Sequence, residues 1–168
     1  MTDKEEQPPS GPPPVVCSDR VLSYAILDNS VGFHSGHGLF FIDGKEIGRV
    51  PCLAICQARN SPEIVLYYCD RDWSMLGVAT YDSIAAARKR AERIYPGSTA
   101  CWVEANFTEE DATRFLDKIW ADQRCSFCGK RPDETLATTF EGKENARICG
   151  QCIEEFYSEL KRPPSLKD

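Results

Sequence analysis

The feature that most constrains this chain is a pair of cysteine doublets, Cys125-Ser-Phe-Cys128 and Cys149-Gly-Gln-Cys152, separated by twenty residues. Two residues between cysteines let both thiolates turn inward on one centre, and tetrahedral zinc takes four such ligands. One doublet can arise by chance, whereas two at this separation fit the two-knuckle zinc pattern. The alternatives, four reduced buried thiols or a redox pair, account less well for the repeated spacing. Cys125, Cys128, Cys149 and Cys152 are therefore expected to hold one Zn2+ per chain. Gly129 follows the second ligand, where such a turn often needs positive φ.

The residues around the doublets suggest how they are presented. Thr135 to Arg147 suits a hairpin with its turn near Gly142-Lys143. After Cys149, the residues Ile153, Phe156, Tyr157 and Leu160 recur at helical spacing. Cys152 is then expected in the first turn of a helix, whose positive end favours a thiolate. Knuckle, hairpin, knuckle and helix together make a treble-clef-like finger. A unit this small cannot build an adequate core alone, so metal binding supplies folding free energy on the order of 10 kcal/mol.

Cys-Ser-Phe-Cys-Gly-Lys at 125–130 and Ile-Cys-Gly-Gln-Cys-Ile-Glu at 148–154 closely resemble the N-terminal zinc-binding domain of the ClpX unfoldase. The resemblance covers about 40 residues near the C-terminal end. It implies a finger that dimerises and recognises adaptors and substrate proteins, with the four cysteines as zinc ligands. It also implies an apolar dimer or peptide surface made by Phe127, Ile153, Phe156 and Tyr157, although the same four side chains would serve equally as the finger's own small core. The ATPase that follows the finger in the unfoldase is not expected of these residues. No Gly-x-x-x-x-Gly-Lys-Ser/Thr occurs, and Gly44-Lys45 is followed by Glu46, where a magnesium-binding hydroxyl is needed.

The remainder reads as an α+β domain over residues 20–122: an antiparallel sheet with two helices. Residues 1–19 are charged and proline-rich, with Pro-Pro-Ser-Gly-Pro-Pro-Pro at 8–14, and are expected to form a disordered tail. A proline-rich ligand for an SH3-like partner is the functional alternative there. Residues 20–30 fit a short helix or a strand equally. Asp43-Gly44 between apolar runs signals a hairpin. Glu63 to Cys69 is β-branched and aromatic, and Met75 to Thr80 returns as its partner strand. Asp82 is expected to cap a helix over 83–95 that Pro96-Gly97 stops, and Ala100 to Ala105 reads as a strand. Thr108-Glu-Glu-Asp111 is a capping box opening a second helix with Ala112, Phe115, Leu116, Ile119 and Trp120 on one face. The finger follows at 123–162, and residues 163–168 form a short tail.

Charge and cysteine use bound the function. The formal net charge is −6, which disfavours a zinc-dependent nucleic-acid-binding protein, the first rival reading. No run approaches the roughly 20 apolar residues of a membrane span, and the acidic start lacks the order of a signal peptide. A cytoplasmic setting is expected, and there nine cysteines point away from a disulfide framework. His34 and His37 are expected in a glycine-rich loop entering a strand, rather than in a second metal site with Cys52 and Cys56. Cys17, Cys52, Cys56, Cys69 and Cys101 are expected as buried structural thiols. An enzyme in residues 20–122, with Cys69 or Cys52 paired to His34, is the second rival, but no local motif supports it. Arg88, Lys89, Arg90 and Arg93 make a basic helix face of the usual solvated kind. The expected function is non-enzymatic protein contact, as a homodimer or with a protein segment.

Overall fold

The computed structural model describes residues 9–35, 41–42, 45–59, 61–135 and 138–162. In chain order the elements are strands β1 (Val15–Val16), β2 (Asp19–Ile26), β3 (Phe41–Ile42), β4 (Lys45–Glu46), β5 (Cys52–Gln57), β6 (Ile64–Cys69) and β7 (Met75–Tyr81), then helix α1 (Ile84–Ile94). They continue as β8 (Trp102–Glu104), α2 (Glu109–Ile119), β9 (Thr139–Glu141), β10 (Arg147–Cys149) and α3 (Gly150–Leu160). The architecture is the expected α+β type, an antiparallel sheet with helices, followed by a separate cysteine-rich segment. The chain divides into two compact units between Phe115 and Leu116. Among the described residues, no helix is long and apolar enough to cross a membrane.

The main sheet runs β1-β2-β5-β6-β7, with β8 also pairing β2, and every pairing is antiparallel. Both faces of its centre are covered, because the two-residue period of β5 and β6 sends alternate apolar side chains to opposite sides. Leu53, Ile55, Leu66 and Tyr68 pack with Ala87, Ala91, Ile94 and Tyr95 of and after α1. Cys52, Ala54, Cys56, Val65, Tyr67 and Cys69 pack on the other face with Val16, Val21 and Trp73. The strand expected over Glu63 to Cys69 and its partner over Met75 to Thr80 are present as β6 and β7.

Several expectations need correction. The undecided stretch at 20–30 contains β2, where a bulge between Val21 and Ser23 breaks the simple alternation that would have revealed a strand. The cap of α1 is Ser83, not Asp82: the Ser83 side chain accepts from the Ala86 amide. Cysteines 52, 56 and 69 are buried as expected, but Cys17 is exposed and Cys101 half-buried. Cys17 sits at φ 60 in the tight connection from β1 to β2, which turns its side chain outward. A 3-10 turn, Ser98–Cys101, occupies the start of the stretch expected to be strand and leaves β8 only three residues. The Asp43-Gly44 turn lies outside the described residues. The strands flanking it pair with Ile42 opposite Lys45, yet β5 is not an arm of that hairpin; it lies between β2 and β6.

The proline-rich segment is the largest departure. From Pro9 onward it is placed: Pro12, Val15 and Val16 are buried, and the Val21 amide donates to Pro14 O at 3.0 Å. Its anchoring comes from aromatic side chains far along the chain, which no local sequence window contains. The capping box of α2 is present as expected: Asp111 N donates to Thr108 Oγ1 at 3.1 Å, and Thr108 N to Asp111 Oδ2 at 3.0 Å.

Candidate metal centre

The second unit is built around the two doublets. In the first, Gly129 N donates to Cys125 O at 2.9 Å and Cys125 N to Lys130 O at 2.9 Å, which closes a tight turn. Gly129 adopts φ 73, the left-handed region that a residue with a side chain avoids. This turn is stitched to β10: Ser126 N donates to Arg147 O at 2.8 Å, and Arg147 N to Ser126 Oγ at 3.0 Å.

The second doublet is held by the hairpin and the helix. β9 and β10 pair antiparallel with Cys149 opposite Thr139, and their turn closes through Gly142 N to Ala146 O at 2.7 Å. The hairpin expected near Gly142-Lys143 is therefore present. Cys149 ends β10 and caps α3, and Cys152 is the third residue of that helix. A helix start there exposes unpaired backbone donors and the positive end of the dipole toward the sulfurs.

The four sulfurs converge: Cys125, Cys128, Cys149 and Cys152 Sγ all lie within 4.8 Å of one another. Cys125 and Cys152 Sγ are 3.8 Å apart, as are those of Cys128 and Cys149. A tetrahedron with zinc–sulfur bonds of about 2.3 Å has edges of about 3.8 Å, so the cage fits the ion. A disulfide needs sulfurs about 2.05 Å apart and is not formed. Cys125, Cys149 and Cys152 are buried, whereas Cys128 is exposed on the rim. Burial acts to raise the Cys125 thiol, but the backbone amides of Cys128, Cys149 and Phe127 outweigh it and hold it at about 6. The Cys149 amide donates to Cys125 Sγ at 3.4 Å. These amides favour the thiolate at Cys125, whereas burial and the three neighbouring sulfurs push the Cys152 thiol up. The cage is closed: four protein sulfurs fill the tetrahedron and leave no position for water or substrate, which is the arrangement of a structural site. When bound, zinc supplies charge compensation and cross-links turn, hairpin and helix.

Sequence reasoning missed the support beneath the first doublet. Arg131 is 2 % exposed and bonds Asp133 at 3.1 Å and Glu134 at 3.2 Å, along with Asp117 in the last turn of α2. Asp117 also takes Arg124 at 2.6 Å, and Arg124 in turn donates to Gly129 O at 2.9 Å. The charged residues were visible, but nothing in their local spacing marks them as one network.

Phe127, Ile153, Phe156 and Tyr157 all lie exposed on this unit, and Phe127 and Phe156 meet edge to face at 5.4 Å. The buried cluster here consists of Cys125, Cys149 and Cys152 with Ile148 against them. Among the described residues, the four cysteines are the one group of three or more side chains placed to hold a metal. Cys52 and Cys56 are buried within the first unit, His34 is exposed, and His37 lies outside the described residues. The His34 backbone bonds Ile94 O at the end of α1, whereas Cys52 and Cys69 belong to the opposite face of the sheet.

Residues 123–162 match the model of the ClpX C4-type zinc finger family. No curated protein and no solved structure gives a significant match to the chain. The C-terminal segment is thus a ClpX-type zinc finger with Cys125, Cys128, Cys149 and Cys152 as its metal-binding set.

Proposed function

We propose that the finger is a non-catalytic protein-contact module, acting in the cytoplasm, whose apolar face dimerises the chain or takes up a segment of a protein partner. One observation carries this reading: the finger leaves its largest apolar side chains outside its own core. Phe127 is 60 % exposed, Phe156 41 % and Leu160 85 %, and Ile153 and Tyr157 join them. The zinc cage does the work a core would do, so these side chains are free to serve another surface. Contiguous exposed aromatic and aliphatic groups on a small unit are typical of contact sites. Covering the exposed parts of Phe127 and Phe156 contributes about 1 kcal/mol each, which places both among the anchors of such an interface.

Sedimentation of the full chain tests the self-association arm. The wild type is expected to show concentration-dependent dimers, and the double variant Phe127→Ser, Phe156→Ser is expected to sediment as a monomer with its zinc retained. Both positions are exposed, so the cost to the monomer is about 1 kcal/mol or less. A wild type that stays monomeric at high concentration counts against dimerisation. Unchanged dimers in the double variant would remove this face from the account.

A further inference from the structure

In the first unit, the proline-rich segment lies against an aromatic pair, Tyr24 and Trp73. Trp73 Nε1 donates to Ser10 O at 2.9 Å. Tyr24 stands at 90° to Trp73 with ring centroids 5.6 Å apart. The chain runs over this pair so closely that a Cβ added at Gly11 would lie 3.6 Å from Tyr24 Oη, and the next residue, Pro12, is buried. Residues 9–14 read Pro-Ser-Gly-Pro-Pro-Pro. A proline-rich strand laid on an aromatic pair, with an indole N–H donating to one of its carbonyls, is the chemistry by which extended proline-rich peptides are read. Prolines have stiff backbones and no N–H, so such a segment is bound through ring contacts and carbonyl acceptors rather than through a strand ladder.

The groove is built rather than incidental. Trp73 holds φ 65, a conformation a bulky aromatic residue rarely adopts. The turn around it enforces that geometry: Asp70 Oδ1 accepts from both Asp72 N and Ser74 N at 2.9 Å, and Trp73 N donates to Asp70 O. Strain of this kind persists where the surroundings over-determine it, and it collects at binding sites. A cavity of about 230 Å³ at the start of the strap, lined by Pro9, Ile26, Leu27, Pro51 and Arg71 among others, continues the surface. Two carbonyls of the strap are engaged: Ser10 O accepts from the Trp73 indole and Pro14 O from the Val21 amide.

We propose that the Tyr24–Trp73 groove is a binding site for proline-rich protein segments, filled in cis by residues 9–14 and open to a partner's segment of the same chemistry when this strap lifts. The strap then acts as a built-in competitor. Tethered close to its groove, it has an effective concentration in the millimolar range, which a partner must overcome.

Two measurements on the full chain test this. In the wild type, hydrogen exchange of the Trp73 indole N–H is expected to run at least 100-fold faster than that of the β5 and β6 core amides, because the strap opens locally. Equal protection would mean that the groove opens only on global unfolding, and the proposal fails. In a Pro12→Asp chain, which places a charge at the buried strap position, the groove is expected to bind a synthetic peptide of residues 5–14 at least tenfold more tightly than the wild-type chain does. Trp73→Phe in that background should weaken binding at least fivefold, and a peptide with its prolines replaced by alanine should not bind. A folded Pro12→Asp chain that ignores the peptide, or binds the alanine version equally, overturns the proposal. Should that variant fail to fold, the exchange rates decide alone.

Discussion

The Arg131 guanidinium bonds the Asp117 carboxylate, joining the segment just after the first cysteine doublet to the last turn of α2. Arg131 is almost wholly buried, and Asp117, Asp133 and Glu134 surround it. A buried cation is tolerated only when such partners compensate it. The charge network therefore fixes the base on which Cys125 and Cys128 stand.

Removing one partner of that network should cost more than its surface neighbours suggest. Arg131→Ala is expected to destabilise the finger by about 2–4 kcal/mol, the lower part of the range allowing for the exposure of Asp117 and Glu134. Arg131→Lys restores the charge but not the planar fork and should recover only part of the loss. Denaturant unfolding of the zinc-loaded protein, followed through the C-terminal unit, measures both.

Glu92 gives a pH-dependent counterpart in the first unit. Its carboxylate accepts from Gly97 N, Thr99 N and both the Ser98 and Thr99 hydroxyls. The Gly97 amide foremost, then the Thr99 and Ser98 donors, hold it at about 2 against an ordinary 4.5, with burial opposing. The folded state thus keeps this group charged where the unfolded chain already binds the proton. The contribution is complete above about 4.5 and is lost as pH falls from there toward about 2. Glu92→Gln should lower stability at neutral pH by about 1 kcal/mol after allowing for solvent screening, and flatten the acid limb of the profile. Thermal unfolding from pH 7 to pH 2 reads both effects.

Gly129 isolates backbone strain from packing. A Cβ at this position would meet nothing within 4 Å, so Gly129→Ala introduces no clash, only a left-handed alanine at φ 73. The expected cost is about 1–2 kcal/mol, visible as roughly five- to thirtyfold weaker zinc binding in a chelator competition. An unchanged affinity would mean that the turn adapts without loss.

What could be read in advance follows from the range of the interactions concerned. The cysteine doublets, the capping box of Thr108 and Asp111, and the helix stopped by Pro96-Gly97 are local patterns, and each is found where its residues place it. The zinc cage was legible for the same reason: its ligands come in pairs two residues apart, and a hairpin of ordinary length brings the pairs together. β2 was ambiguous because its bulge falls at Val21 and Ser23, which disrupts the period on which a strand assignment depends. The strap over Tyr24 and Trp73 and the Asp117–Arg131 pair were not legible. Their partners lie 63 and 14 residues apart, and only the folded chain makes them neighbours.

The finger's fold and its proposed role both depend on the metal. Purified protein analysed for metal content and by X-ray absorption at the zinc edge should show one zinc per chain, surrounded by four sulfurs at about 2.3 Å. Cys128→Ser should release the ion and unfold the segment from Leu116 onward while the first unit keeps its sheet. A native protein without zinc, or a shell containing nitrogen or oxygen ligands, would contradict it.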